Sequence, residues 1–196
     1  MNDKIWWYLA RAGGMMAAAL LVASLVLGVL LATRAMKAVD RPAWLLAMHR
    51  WFSTLAVVGT ALHVAGLVAD NFVHFGWKEV LVPGTSAWEP LAVTLGVIAL
   101  YLLVAVYGTS LLMKKIPKPL WRWVHMSSYG LVWLAVVHAG LAGTDVRNRV
   151  YQAVAMVLTM AAVTAALVRV ILGRPRPRPS RPDRAPRERP VVADAP

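Results

Sequence analysis

Five stretches of this chain are too long and too apolar for an ordinary soluble fold: about 6–33, 43–69, 91–113, 120–142 and 150–172. Each runs uncharged, or nearly so, for at least the ~20 residues that an α-helix needs to cross the hydrocarbon of a bilayer. Hydrocarbon offers no partner to a free N–H or C=O, so a spanning stretch of this kind has to be helical. The chain is predicted to be an all-α polytopic membrane bundle of five transmembrane helices. Composition agrees, with 59% of the 196 residues hydrophobic and a mean hydropathy of +0.59. Residues 1–173 make up the bundle and 174–196 a tail, which leaves no room for a second folded domain.

The net charge of +12 would point to nucleic acid in a soluble protein. In a membrane protein it has to be read loop by loop, because Lys and Arg concentrate in short cytoplasmic loops. Arg34, Lys37 and Arg41 follow the first span, and Lys114, Lys115, Lys118 and Arg122 follow the third. Seven arginines follow the fifth. These three segments share one side of a five-helix topology. On the other side Lys4, Lys78, Arg147 and Arg149 are set against Asp3, Asp70, Glu79, Glu89 and Asp145. The N-terminus is therefore predicted outside and the C-terminus inside, in the inner (plasma) membrane of a bacterium, with lipid rather than nucleic acid as the surrounding partner. The tail, with seven prolines and seven arginines, reads as disordered and partly polyproline II. Anionic lipid, an acidic partner and plain solvation all remain open for it.

Two of the spans carry two histidines each, one towards either end: His49 and His63, then His125 and His138. An imidazole in hydrocarbon costs free energy unless it is satisfied, which makes an intramembrane histidine a functional-site candidate. Zero cysteines exclude disulfides, thiolate-held zinc, iron–sulfur clusters and covalently attached haem, leaving histidine as the main metal-ligand chemistry. Haem iron, bound through axial imidazoles, satisfies paired histidines on facing helices. The 14 residues from His49 to His63 correspond to a rise of roughly 21 Å and fall about 40° short of four turns, so both rings leave one face at two depths. The second and fourth spans run parallel, pairing His49 with His125 inside and His63 with His138 outside. The 13 residues from His125 to His138 leave those rings roughly 140° apart on an ideal helix. A bend is expected around Ser127, Ser128 and Gly130.

Three arginines lie near the expected sites. Arg11, about as deep as His63, invites a planar anion such as a haem propionate, with headgroup snorkelling as the plain alternative. At the inner mouth Arg50 reads as a propionate partner or as a plainly solvated interfacial arginine, and Arg122 as a propionate or headgroup partner. Gly59 and Gly66 flank His63 and would either admit a flat macrocycle or pack helix against helix. Loop 70–90 reads as a lid or docking surface over the outer site, and its His74 as exposed or interfacial before it reads as a ligand. Trp133, between the two levels, reads as packing before it reads as an electronic bridge.

Histidine segments containing HRW at His49, WRWVH at His125, SSYG, and HAGLAGTD from His138, together with VPGTSAWEP, resemble the ferric-reductase-like transmembrane domain. That domain is shared by ferric reductases, NADPH oxidases and the bacterial haem subunit of the methionine sulfoxide reductase system. The resemblance covers about residues 6–172 and implies two b-type haems with His49, His63, His125 and His138 as axial ligands, passing electrons across the membrane. The chain shows no Gly-rich dinucleotide fingerprint. Electrons are accordingly expected from a separate cytoplasmic flavin reductase or from quinol, and are expected to leave to an extracytoplasmic flavoprotein or reductase, ferric iron or oxygen. A noncovalent FMN or FAD, on this chain or on a partner, is compatible with the sequence because such sites leave no short motif. The rivals are a proton-coupled transporter using the histidines as a relay and a scaffold subunit without haem.

Overall fold

The computed structural model describes residues 4–34, 42–70 and 75–173. Lys37, Arg41, His74 and the tail of 174–196 lie outside the described residues. Within them the chain is helical, with no strand: α1 (Ile5–Thr33), α2 (Pro42–Ala69), α3 (Trp77–Leu81), α4 (Pro90–Leu111), α5 (Lys118–Met126), α6 (Ser128–Ala142) and α7 (Arg149–Leu172). Five units are long and apolar enough to span a bilayer: α1, α2, α4, α5 with α6, and α7. This is the five-span architecture expected from the apolar runs.

Local chemistry sets the ends. Pro42 and Pro90 open α2 and α4, where a missing N–H costs nothing because the first-turn donors have no intrahelical partner. The Asn148 side chain accepts from the N–H groups of Val150 (2.8 Å) and Tyr151 (3.2 Å), capping α7. Arg34 closes α1 in the left-handed region, φ 53°, with its N–H on the Leu30 carbonyl.

The α1 helix is the centre of the bundle. It lies along α2 and also touches α6 and α7, while α4 packs on α6. Val22 and Leu25 of α1 meet Val132 and Ala162 in one buried cluster; Ala99, Leu103 and Leu131 form another between α4 and α6. Small residues let α1 and α2 approach closely. A Cβ on Gly13 would come within 2.8 Å of the Gly59 carbonyl oxygen, and one on Gly66 within 2.6 Å of the Ala10 nitrogen. Gly59 and Gly66 are thus helix-packing residues facing α1. In contrast, α2 and the α5–α6 span have no comparable packing surface against each other. The two histidine-bearing spans are held apart, each by a different neighbour.

The fourth span is interrupted at Ser127, between its two histidines. The Ser127 N–H bonds the Val124 carbonyl at 3.1 Å, three residues back, and its hydroxyl bonds the same oxygen at 2.7 Å. Such a turn advances ~120° per residue instead of ~100°, carrying the phase of the following helix forward. That is the direction in which the 13-residue spacing falls short. Trp133, 40% exposed, lies on the surface of the bundle.

The packing at the α1–α2 crossing is testable. Gly66→Ala pushes a methyl into Ala10 backbone that has no rotamer to yield, and is expected to lower stability by roughly 1–3 kcal/mol. Gly108→Ala, with nothing within 4 Å of the new Cβ, should be neutral or slightly stabilising. Thermal unfolding of the two variants in detergent checks the contrast.

Candidate functional site

The four span histidines come together as two pairs. His49 faces His125 with ring centroids 6.1 Å apart and planes at 72°; His63 faces His138 at 6.2 Å and 79°. The contacts around them sort the bundle into two ends. Ala10, His63, Ala92 and His138 lie at one, here called the Arg11 end; Ser24, His49, Ser110 and His125 lie at the other.

Three of the rings are fixed by the same device. His63 Nδ1 is 2.7 Å from the Ala10 carbonyl oxygen, His138 Nδ1 is 2.7 Å from that of Ala92, and His49 Nδ1 is 2.9 Å from that of Ser24. A carbonyl only accepts, so each Nδ1 carries its proton, and Nε2 keeps a free lone pair. Each carbonyl belongs to a helix residue whose i+4 neighbour is glycine: Ala10 and Gly14, Ser24 and Gly28, Ala92 and Gly96. The helix bond from residue i+4 uses one lone pair of that oxygen, and the imidazole uses the other. Glycine at i+4 makes room for the ring: a Cβ would sit 2.8 Å from His63 Nδ1 at Gly14, 2.8 Å from His138 Nδ1 at Gly96, and 3.4 Å from His49 Cε1 at Gly28.

Around His49, a serine network adds to this. Ser24 Oγ lies 3.0 Å from His49 Nδ1 and 2.8 Å from Ser53 Oγ, and Ser53 donates back to the His49 carbonyl at 2.7 Å. His125 is held differently. Trp121 stacks on it at 5.0 Å and 25°, and Ser110 Oγ lies 3.4 Å from its Nδ1.

None of these partners was singled out from the sequence, although a signal existed. Ala10 and Ser24, Gly14 and Gly28, and His63 and His49 are all 14 residues apart. In an antiparallel helix pair, equal spacings put equivalent residues side by side.

The pairs have a definite coordination capacity. With metal–imidazole bonds of about 2.0 Å and ring centres about 1.1 Å behind the nitrogens, two imidazoles flanking one metal have centroids about 6 Å apart. Both pairs have that separation. Among the described residues no group of three or more His, Cys, Asp or Glu side chains could hold a metal ion. A metal between either pair must therefore bring further ligands of its own.

Arg11 holds a partner from within the chain. Its Nε and Nη2 form a bidentate ion pair with the two carboxylate oxygens of Asp145, in the α6–α7 connection, and its guanidinium lies 4.5 Å over the Trp7 ring. Where a haem propionate or a lipid headgroup was expected, the structure supplies a protein carboxylate. Arg50 and Arg122 are exposed at the opposite end, and among the described residues neither has a carboxylate partner.

The fold defines a helical membrane protein with two facing histidine pairs at different depths. Residues 13–139, well over half of the chain, match the family model described as ferric reductase like transmembrane component. The chain belongs to that family, which makes it a multi-pass membrane protein and points to a transmembrane electron-transfer domain. No curated protein and no solved structure matches it.

The Arg11–Asp145 bond ties the start of α1 to the α6–α7 connection. In a double-mutant cycle, Arg11→Met and Asp145→Asn should each destabilise the bundle by more than half the loss in the double variant, giving a coupling of about 1–3 kcal/mol. Unfolding of the four proteins in detergent measures it.

Proposed function

We propose that this protein is a membrane cytochrome b subunit that carries electrons across a bacterial plasma membrane through two b-type haems. His49 and His125 would hold one and His63 and His138 the other. The observation that carries this reading is the pair geometry: imidazoles about one bis-histidyl metal apart, at two depths, with Nδ1 of three rings tied to backbone carbonyls. Each pair would supply two imidazole nitrogens to a haem iron, and the remaining ligands would come with the haem itself. Bound haem supplies reversible one-electron iron chemistry.

The chain's own residues do the rest. The carbonyls of Ala10, Ser24 and Ala92 hold the proton on Nδ1, leave the Nε2 lone pair free for iron and make that nitrogen a stronger ligand. Gly14, Gly28 and Gly96 let the rings approach the backbone. The α1 helix holds one histidine span and α4 the other, so that the rings face each other from separate neighbours. The distribution of Lys and Arg puts the His49/His125 end at the cytoplasm and the Arg11 end outside. Quinol or a separate flavin reductase is then the donor on the inner side, and a flavoprotein or reductase is the acceptor on the outer side.

The test is the reduced-minus-oxidised spectrum of detergent-purified protein with a haemochrome count. Two b haems per chain are expected. His63→Ala should leave one, and His49→Ala with His63→Ala none. Gly96→Ala, which sets a Cβ against His138, should disturb the same haem as His138→Ala and leave the other unchanged. Colourless protein from haem-replete cells would return the histidines to a proton relay or a scaffold.

A further inference from the structure

We infer that residues 77–84 dip into the bilayer beside α4, so that this part of the α2–α4 connection is bound by lipid. Three sets of observations carry this, and none depends on haem.

The first is depth. The Tyr101 hydroxyl donates to the Leu81 carbonyl, and the Gly84 N–H donates to Thr94 Oγ1 at 3.0 Å. Thr94 is one turn past Pro90, where α4 begins. Tyr101 is 11 residues past it, about 16 Å along the axis. The tyrosine side chain reaches back towards the start of the helix, which brings the Leu81 carbonyl to a level between the two. Residues 81–84 therefore lie alongside the first turns of a spanning helix, below its end.

The second is the face. On α4, Ala92, Ala99 and Leu103 are buried and Gly96 abuts His138, while Val97, also buried, lies about 140° round from Ala92. At 100° per residue, Thr94 and Tyr101 are about 200° and 180° round from Ala92, on the opposite side of the helix. That side also carries exposed Leu91 and Ile98 and reads as lipid-facing. The segment is thus attached to the outside of α4, away from the histidines. Phe75 and Val80 are buried, each 7% exposed, while Trp77 (65%), Leu81 (45%) and Val82 (46%) point outward. Trp77 and Leu81, four apart, share one face of α3. The outward residues continue the apolar side of α4.

The third is backbone satisfaction. A five-residue helix leaves most of its carbonyls without helical partners. In water nothing more is required, but at a hydrocarbon boundary each needs one. Here the Val82 N–H serves the Lys78 carbonyl at 2.8 Å, and hydroxyls serve the two carbonyls at the end of the helix: Thr85 Oγ1 donates to that of Val82 at 2.9 Å, with Lys78 at 3.1 Å as a second acceptor, and Tyr101 to that of Leu81. The Gly76 N–H is taken by Glu79 Oε2 at 2.9 Å. Lys78, exposed, has a stem long enough to carry its ammonium to the headgroups.

The chain has no cysteine, so single nitroxide labels can be attached without background. Leu81→Cys and Val82→Cys are labelled in the full-length protein, reconstituted in phosphatidylcholine vesicles. Val104→Cys on the exposed side of α4 and Arg147→Cys in the α6–α7 connection serve as lipid and water references. Power-saturation EPR compares collisions with oxygen and with a water-soluble nickel complex. At both test sites oxygen collisions should exceed those with nickel, as at position 104. Values matching position 147 would overturn the inference by showing the segment in water. Low accessibility to both reagents would overturn it by showing a protein partner or a second copy on this face. In Tyr101→Phe, which leaves the Leu81 carbonyl unpartnered, the Val82→Cys label should shift towards the aqueous reference. An unchanged depth would remove the role given to the hydroxyl.

Discussion

A polar ring inside hydrocarbon has to find partners in the protein, and the arrangement of this bundle follows from where four imidazoles find theirs. The donors and acceptors most abundant in a helical bundle are backbone groups already used by the helices. A carbonyl oxygen still has a second lone pair, and it becomes reachable where the residue one turn on has no side chain. Ala10 with Gly14, Ser24 with Gly28, and Ala92 with Gly96 are three instances of that solution. Each bond fixes a ring and also ties two helices: α2 to α1 at two levels, and α6 to α4 at one.

These ties explain why the histidine-bearing spans face each other without packing together. The α2 helix is drawn to α1, and α6 to α4, so the rings project from opposite walls. The unequal spacings are absorbed by the interruption at Ser127. His125, on the near side of that interruption, is the ring with no carbonyl partner among the described residues. It is braced by the Trp121 face and the Ser110 hydroxyl instead.

The remaining intramembrane charge obeys the same rule. Arg11 is neutralised by Asp145, 134 residues away, and covered by Trp7, so the Arg11 end of the bundle is closed by a bond between the first span and the α6–α7 connection. The α3 segment extends the rule to the periphery, where threonine and tyrosine hydroxyls serve the Val82 and Leu81 carbonyls at the end of a short helix.

The sequence by itself determined the five spans, because span length is set by bilayer thickness and the apolar runs are local. It determined the pairing of His49 with His125 and of His63 with His138, because helical rise converts residue number into depth. It also marked the break among Ser127, Ser128 and Gly130. Only the tertiary structure decided which neighbour each residue meets. In a soluble helix an apolar stripe names the buried face. In these spans lipid and protein interior are equally apolar, so the stripe is missing and the face is chosen by long-range fit. That is why Gly59 and Gly66 could be read two ways until α1 was seen against them, and why Asp145 was not legible as the partner of Arg11. It is also why the 14-residue repeat shared by the glycines of α1 and the histidines of α2 acquired its meaning only when the two helices were placed side by side.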